Sequence, residues 1–171
     1  MDEKDIVLDD RLNEEGKEFM RNILKVMNPR DMPKYDLKLI REGEKASAEI
    51  ALQSRSKNVT ESEIFIKSKF DDYLIPVSVY TPNDLKSDAP LTIFFHGGGW
   101  IFGCRKTYEL MVTDLAEATK SIWLSVEYRL APENKYPIPM NDAVSAAEWI
   151  IENKSRFGNE NTKVGVAGDS A

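Results

Sequence analysis

The sequence has very few of the residues that build covalent or metal-bound frameworks. Of its 171 residues, one is cysteine and one is histidine. A single cysteine, Cys104, excludes a disulfide within the chain and a cluster of thiolate ligands. No spacing of His, Cys, Asp and Glu suggests metal ligands. We therefore expect neither a metal site nor another cofactor.

Two further absences concern partners and location. Acidic residues outnumber basic ones by 29 to 23, which gives a formal net charge of −6 at pH 7, so we expect no nucleic-acid partner. No stretch reaches the roughly 18 consecutive apolar residues of a membrane span. The acidic amino terminus, from Met1 to Asp10, also lacks the apolar segment of a secretory signal. A cytoplasmic location is the resulting expectation.

What the chain does contain is the composition of a globular protein. Apolar residues make up 42% of it and charged residues 30%. Its first part is predicted to form two amphipathic helices. Apolar residues three and four positions apart run from Leu12 to Met27, where Asn28-Pro29 ends the pattern, and a weaker pattern runs from about Asp36 to Gln53.

The rest of the chain has the patterns of strands followed by alternating strands and helices. Two β-type runs separated by acidic residues, Glu63 to Lys69 and Leu74 to Tyr80, predict an antiparallel hairpin. The alternation after it predicts a parallel sheet, in which the apolar runs Leu91–Phe95 and Ile122–Val126 are expected to be buried strands. In chain order these elements are a strand Leu91–Phe95, a helix Tyr108–Thr119, a strand Ile122–Val126, a helix marked by Ala143 to Ile151, and a strand Val164–Ala167.

A run of three glycines follows the first of the parallel strands, in the segment His96-Gly97-Gly98-Gly99-Trp100. Chemistry in such sheets collects at the carboxyl ends of the strands. Glycine lets backbone N–H groups approach a bound atom, and each amide that donates to an oxyanion contributes about 3 kcal/mol in the transition state. Taken alone, three glycines are more often a flexible turn.

The last strand leads into Gly168-Asp169-Ser170-Ala171. These are four of the five positions of Gly-x-Ser-x-Gly, the sharp strand-to-helix turn that exposes a nucleophilic serine. A tetrapeptide of this kind is by itself more often a chance match. Its position after an independently predicted strand, downstream of the glycine run, favours the functional interpretation.

Together these segments resemble the hormone-sensitive-lipase-like α/β-hydrolases, the GDXG-type carboxylesterases that include bacterial esterases and arylacetamide-deacetylase-like enzymes. The resemblance covers about Lys57 to Ala171 and implies the α/β-hydrolase fold, a mostly parallel sheet with an antiparallel amino-terminal hairpin and helical cap elements. Residues 1–56 would then be part of the cap, and residues 57–171 the amino-terminal portion of the core. The matching segments are His96–Trp100, Val126–Glu133, Pro137 and Asp142 ahead of Ala147 and Trp149, and Gly168–Ala171.

The resemblance also implies roles for individual residues. Ser170 would be the nucleophile, and the segment Glu127 to Glu133 would brace the site. His96 would shape the glycine loop and would not be the catalytic base. The oxyanion hole would be formed by the amides of Gly98, Gly99 and Ala171, with His96, Gly97, Gly168 and Asp169 as supporting residues of the two motifs.

The sequence departs from the family in one respect. In this fold the chain order is serine, acid, histidine, so the acid and base would lie beyond residue 171 and the core would be truncated after the elbow. A serine without its base is a poor nucleophile, and we expect the 171 residues alone to be nearly inactive. A complementing carboxyl-terminal segment or a homo-oligomer would be the expected protein partner.

The leading expectation is a serine carboxylic-ester hydrolase that acts on small-molecule esters through an acyl-serine intermediate. Short or medium acyl esters are favoured because the acidic amino terminus offers no anchor for a lipid surface. A non-catalytic relative that binds a small molecule, as the plant gibberellin receptor does, remains the alternative, together with an inactive fragment.

Overall fold

The computed structural model describes residues 10–26 and 36–170, and the chain divides into two compact units, Met1–Ile40 and Arg41–Ala171. In the first unit, helix α1 spans Glu14–Val26. Its first turn is capped by Asn13, whose side-chain oxygen accepts a hydrogen bond from the Gly16 amide at 2.7 Å. The predicted first helix is confirmed, whereas its predicted end at Met27 to Pro29 lies outside the described residues.

Helix α2 spans Leu37–Ala51 and continues into a 3₁₀ turn, Leu52–Ser54. Asp36 caps it, because one of its carboxylate oxygens accepts hydrogen bonds from the amides of Lys38 at 2.9 Å and Leu39 at 3.3 Å. The helix predicted over about Asp36 to Gln53 is therefore confirmed. The assignment of residues 1–56 to a cap stays a prediction.

The core of the second unit is a mixed sheet, in which the described residues form five strands. The strands span Val59–Lys67 (β1), Leu74–Pro82 (β2), Leu91–Phe95 (β3), Ile122–Val126 (β4) and Val164–Gly168 (β5). Their order in the sheet is β1-β2-β4-β3-β5. The predicted hairpin is confirmed as an antiparallel pair of β1 and β2, and β2 is also antiparallel to β4. Strands β4, β3 and β5 are parallel to one another, with β3 in the middle.

Two long helices connect the parallel strands. Helix α3 spans Arg105–Thr119 and helix α4 spans Ile138–Glu152, followed by a 3₁₀ turn, Lys154–Arg156. Both helices begin earlier than the apolar pattern predicted. The start of α3 is fixed by Thr107, whose hydroxyl accepts a hydrogen bond from the Cys104 amide at 3.0 Å. Among the described residues, no helix has both the length and the apolar character needed to cross a bilayer.

The strands β3 and β4 are largely buried, as their uninterrupted apolar runs predicted, whereas most residues of the edge strands β1 and β5 are exposed. All five residues of β4 are buried, and successive strand residues point to opposite faces. Ile93 and Leu124 pack with Ala146 and Ile150 of α4. On the other face, Phe94 and Trp123 join Val112 and Ala116 of α3. Two hydrophobic layers therefore hold the carboxyl ends of β3, β4 and β5 in place.

One buried ion pair connects the segment after β4 to helix α4. Asp142 is fully buried, and its carboxylate accepts hydrogen bonds from the Arg129 amide at 3.0 Å, from Nε at 2.8 Å and from Nη2 at 2.7 Å. Arg129 also donates to the half-exposed Asp71 at 2.7 Å, and its guanidinium lies 4.2 Å from the centre of the Tyr73 ring.

Loss of this guanidinium is expected to destabilise the fold strongly. Arg129→Met leaves the Asp142 carboxylate buried without a counter-charge, which should lower the free energy of unfolding by about 3–5 kcal/mol. The matched change Asp71→Asn removes only the exposed partner and should cost less than about 1 kcal/mol. Urea unfolding of both variants measures the difference, and equal costs would contradict this account.

Candidate active site

The site begins with the glycine loop, residues 97–103, which leaves the carboxyl end of β3. Gly98, Gly99 and Trp100 have φ angles of 123°, 60° and 64°, a backbone region that favours glycine. A Cβ atom on Gly98 would collide with the carbonyl oxygen of Phe102. The Gly98 carbonyl accepts hydrogen bonds from the amides of Ile101 at 3.1 Å and Phe102 at 2.9 Å. The loop is thus a tight turn that requires glycine at position 98.

Two amides of this turn remain unused by the protein. Within the described residues, the N–H groups of Gly98 and Gly99 donate no hydrogen bond. Exposure rises along the run, because Gly97 is buried, Gly98 is half-buried and Gly99 is exposed. These are the properties that amide donors to an external oxygen atom need. The third amide predicted for this purpose, that of Ala171, lies outside the described residues.

The parallel pairing of β3 with β5 brings the serine segment beside the glycine loop. Phe95 is opposite Gly168 in the register, and a Cβ atom on Gly168 would lie 2.9 Å from the Phe95 carbonyl oxygen. A Cβ atom on Gly97 would lie 2.9 Å from Cβ of Ser170. The structure therefore brings Gly97 and the exposed Ser170 into close approach, and glycine at 97 and 168 makes this possible.

Asp169 joins the serine segment to the loop and to helix α3. Its Oδ1 accepts a hydrogen bond from the Gly97 amide at 2.7 Å, and its Oδ2 accepts one from the Tyr108 hydroxyl at 2.8 Å. Burial and this hydrogen bond raise the pKa of Tyr108 to about 12, so the hydroxyl remains a donor at neutral pH. The motif identified Asp169, but no sequence signal identified Tyr108.

His96 lies beneath the glycine loop as part of the packed core. It is 1% exposed, and its ring stacks on those of Tyr128 and Tyr108 at centroid distances of 4.3 and 5.7 Å. Nδ1 lies 2.8 Å from the Gly97 carbonyl oxygen, and the Tyr128 hydroxyl donates to the His96 carbonyl. No hydrogen bond joins the ring to Ser170 within residues 36–170. This environment suits a residue that supports the loop.

The segment after β4 also contacts the glycine loop. The Ala131 amide donates a hydrogen bond to the Trp100 carbonyl at 2.8 Å. One carboxylate oxygen of Glu127 accepts hydrogen bonds from the Arg105 amide at 2.8 Å and from its Nε at 3.2 Å, at the start of α3. Residues of this segment thus hold both ends of the connection between β3 and α3, and sequence reasoning missed Arg105.

Beside the loop is an apolar cavity of about 390 Å³. Trp100 connects it to the loop, and the Trp100 ring meets the Tyr128 ring at a centroid distance of 5.5 Å. Tyr136 is 79% exposed at its edge. The cavity is lined by Trp100, Ala131, Tyr136, Pro139 and Met140. Within the described ranges, no three His, Cys, Asp or Glu side chains are grouped to hold a metal ion.

The His96 environment predicts an unusual acid titration. Burial lowers the pKa of His96 below its ordinary value of 6.5, so the folded state resists protonation while the unfolded chain accepts a proton. The neutral His96 ring therefore contributes to the free energy of unfolding above pH 6.5. This contribution is lost as the pH falls from 6.5 towards the lower pKa of the folded state, by at most about 1.4 kcal/mol per pH unit. NMR titration of the Cε1 proton should give a lower midpoint in the folded protein than in urea. A midpoint equal to that in urea would contradict the prediction.

Comparison with known proteins shows that the chain is similar to part of several esterases. Residues 92–171 match a protein family described as having the alpha/beta hydrolase fold. The carboxylesterase NlhH of Mycobacterium tuberculosis is 39% identical over 97 residues, which are 57% of this chain and 30% of that protein. The arylesterase of Saccharolobus solfataricus is 31% identical over 155 residues, which are 89% of this chain and 49% of that one.

Solved structures agree with the sequence comparison. A hyperthermophilic esterase from the archaeon Pyrobaculum calidifontis superimposes with a TM-score of 0.72 at 32% identity, over 90% of this chain and 48% of that chain. The chain thus spans at most about half the length of these relatives. The mixed five-stranded sheet and its helices agree with the fold of the matched family. The chain therefore has the α/β-hydrolase fold, and its residues 92–171 are a domain of the hormone-sensitive-lipase-like type.

Proposed function

We propose that the protein containing this chain is a serine carboxylesterase that hydrolyses short or medium acyl esters through an acyl-serine at Ser170. The observation that carries the proposal is the approach of Gly97 to Ser170, next to the two amides of Gly98 and Gly99 that donate no hydrogen bond within the described residues. A nucleophile beside unused donors is the minimum arrangement for acyl transfer.

The chemistry assigned to these groups has two steps. Ser170 Oγ attacks the ester carbonyl carbon and loses its proton, and the carbonyl electron pair moves to the oxygen, which the amides of Gly98, Gly99 and Ala171 would stabilise. The carbon–oxygen bond to the alcohol then breaks, and the alcohol leaves with a proton. Water attacks the acyl-serine in the same way, which releases the acid and restores the serine hydroxyl.

The proton transfers need a base, and we assign it to none of the described residues. His96 is the single histidine of the chain, and it is buried with its Nδ1 against the Gly97 carbonyl. The proposal therefore gives His96 a supporting role. The described residues supply the nucleophile and two oxyanion donors, and Asp169 with Tyr108 holds the serine segment against the loop.

The apolar cavity next to Trp100 supports the substrate range. Its volume of about 390 Å³ and its aromatic and aliphatic lining suit an acyl chain of a few carbons. Each buried methylene contributes about 0.8 kcal/mol to binding. The names of two relatives, a carboxylesterase and an arylesterase, favour an ester over a phosphate.

Removal of the serine hydroxyl tests the nucleophile. In the full-length protein, Ser170→Ala should abolish labelling by a fluorophosphonate probe and lower kcat for p-nitrophenyl butyrate by roughly 10⁶-fold. Ser155→Ala, the same change at an exposed serine outside the site, should change neither. Labelling that persists in Ser170→Ala would overturn the assignment. A wild-type protein without labelling or hydrolysis would instead favour the small-molecule-binding alternative.

A second variant tests the proposed acyl cavity. Tyr136→Ala removes part of the apolar wall and should lower kcat/KM for p-nitrophenyl butyrate several-fold. The acetate ester, which is two methylenes shorter, should be nearly unaffected because it buries less apolar surface. Phe70→Ala, at an exposed aromatic residue outside the cavity, serves as the matched control. Equal losses for both esters in Tyr136→Ala would contradict this use of the cavity.

A further inference from the structure

We infer that Arg41 of helix α2 is a positioning residue that holds the glycine loop in the conformation needed for oxyanion binding. The inference rests on the proposed esterase function and deepens it. Arg41 does not reach the reacting atoms in this account. It acts through the backbone of the loop and of the segment after β4.

The guanidinium of Arg41 connects three parts of the site. Nε donates to the Ile101 carbonyl at 2.8 Å, and Nη2 donates to the Ala131 carbonyl at 2.7 Å. Nη1 donates to the Glu133 carboxylate at 2.8 Å. A planar group with several fixed donors can bind these acceptors at once, whereas a lysine ammonium cannot reproduce the geometry.

These contacts close a ring of hydrogen bonds around the loop. Ala131, held by Arg41 through its carbonyl, donates from its own amide to the Trp100 carbonyl at 2.8 Å. Arg41 thus fixes the loop directly at Ile101 and indirectly at Trp100. Both residues follow immediately after Gly98 and Gly99, so their position sets where the two glycine amides point.

A second residue on the same helix face supports this interpretation. Glu44, three positions after Arg41, accepts a hydrogen bond from the Gly103 amide at 3.2 Å, and residues three apart are neighbours on a helix. Helix α2 therefore holds the glycine loop at Ile101 and at Gly103. The loop needs such support because Gly98 and Gly99 adopt positive φ angles and have no side chains that could pack and hold that conformation.

The kinetic test compares Arg41→Met and Arg41→Lys in the full-length protein, with Arg156→Met and Arg156→Lys as matched controls. Arg156 packs over the Trp149 ring at 5.2 Å and is not part of the site. For p-nitrophenyl butyrate, Arg41→Met should lower kcat at least tenfold with KM within twofold, and Arg41→Lys should lie between it and wild type. Affinity for a trifluoromethyl ketone, which forms a tetrahedral oxyanion adduct, should fall in parallel with kcat.

Hydrogen exchange tests the effect of Arg41 on the glycine loop without relying on enzyme activity. Hydrogen exchange of the peptide that covers residues 97–103 should become faster in both Arg41 variants and remain unchanged in both Arg156 variants. The inference is overturned if exchange in this peptide does not change. It is also overturned if KM rises while kcat and ketone affinity stay constant, which would indicate a substrate contact. Failure of wild type to hydrolyse esters would refute the proposed function instead, and the exchange result would still test the hold of Arg41 on the loop.

Discussion

The parallel pairing of β3 with β5 is the constraint on which the site depends. Parallel strands end at the same edge of the sheet, so the register that sets Phe95 opposite Gly168 also brings the glycine loop to the serine segment. A slip of one residue would turn every side chain of the strand to the opposite face of the sheet. The buried residues Ile93 and Phe94, which pack into different layers, oppose such a slip. The hydrophobic core thus fixes the distance between the glycine loop and the serine segment, although it does not contain the groups proposed for the chemistry.

Hydrogen bonds then hold the glycine loop and the serine segment, which the strand register brings together. Asp169 ties the serine segment to the Gly97 amide and to Tyr108, while Arg41 binds the far side of the same loop at Ile101. The neutral His96 fills the space between loop and sheet, where burial lowers its pKa. A charged ring in this position would oppose folding, so packing beneath the loop favours a histidine that stays neutral.

Sequence patterns predicted the parts of this arrangement whose signals are local. The strands Leu91–Phe95 and Ile122–Val126 are short apolar runs, and their predicted bounds match the structure. Strand β1 starts at Val59, before the predicted start at Glu63. The prediction missed this first part of the strand because its exposed polar residues do not alternate with apolar ones. The contacts of Arg41 with Ala131 and of Tyr108 with Asp169 join residues 90 and 61 positions apart. Periodicity carries no information about such distant polar pairs, so neither residue could be identified from the sequence.

The three successive glycines serve two different physical requirements. Gly97 is buried against the serine segment, where any side chain would collide with Asp169 or Ser170, and its amide is occupied by Asp169. Gly98 and Gly99 adopt positive φ angles, and neither amide donates a hydrogen bond within the described residues. Because Asp169 occupies the first amide, only the next two are left for the oxyanion role proposed for them. Close packing against the serine segment requires glycine at position 97, whereas the two amides proposed as oxyanion donors belong to Gly98 and Gly99. All three glycines are therefore needed to provide both the close packing and two donors.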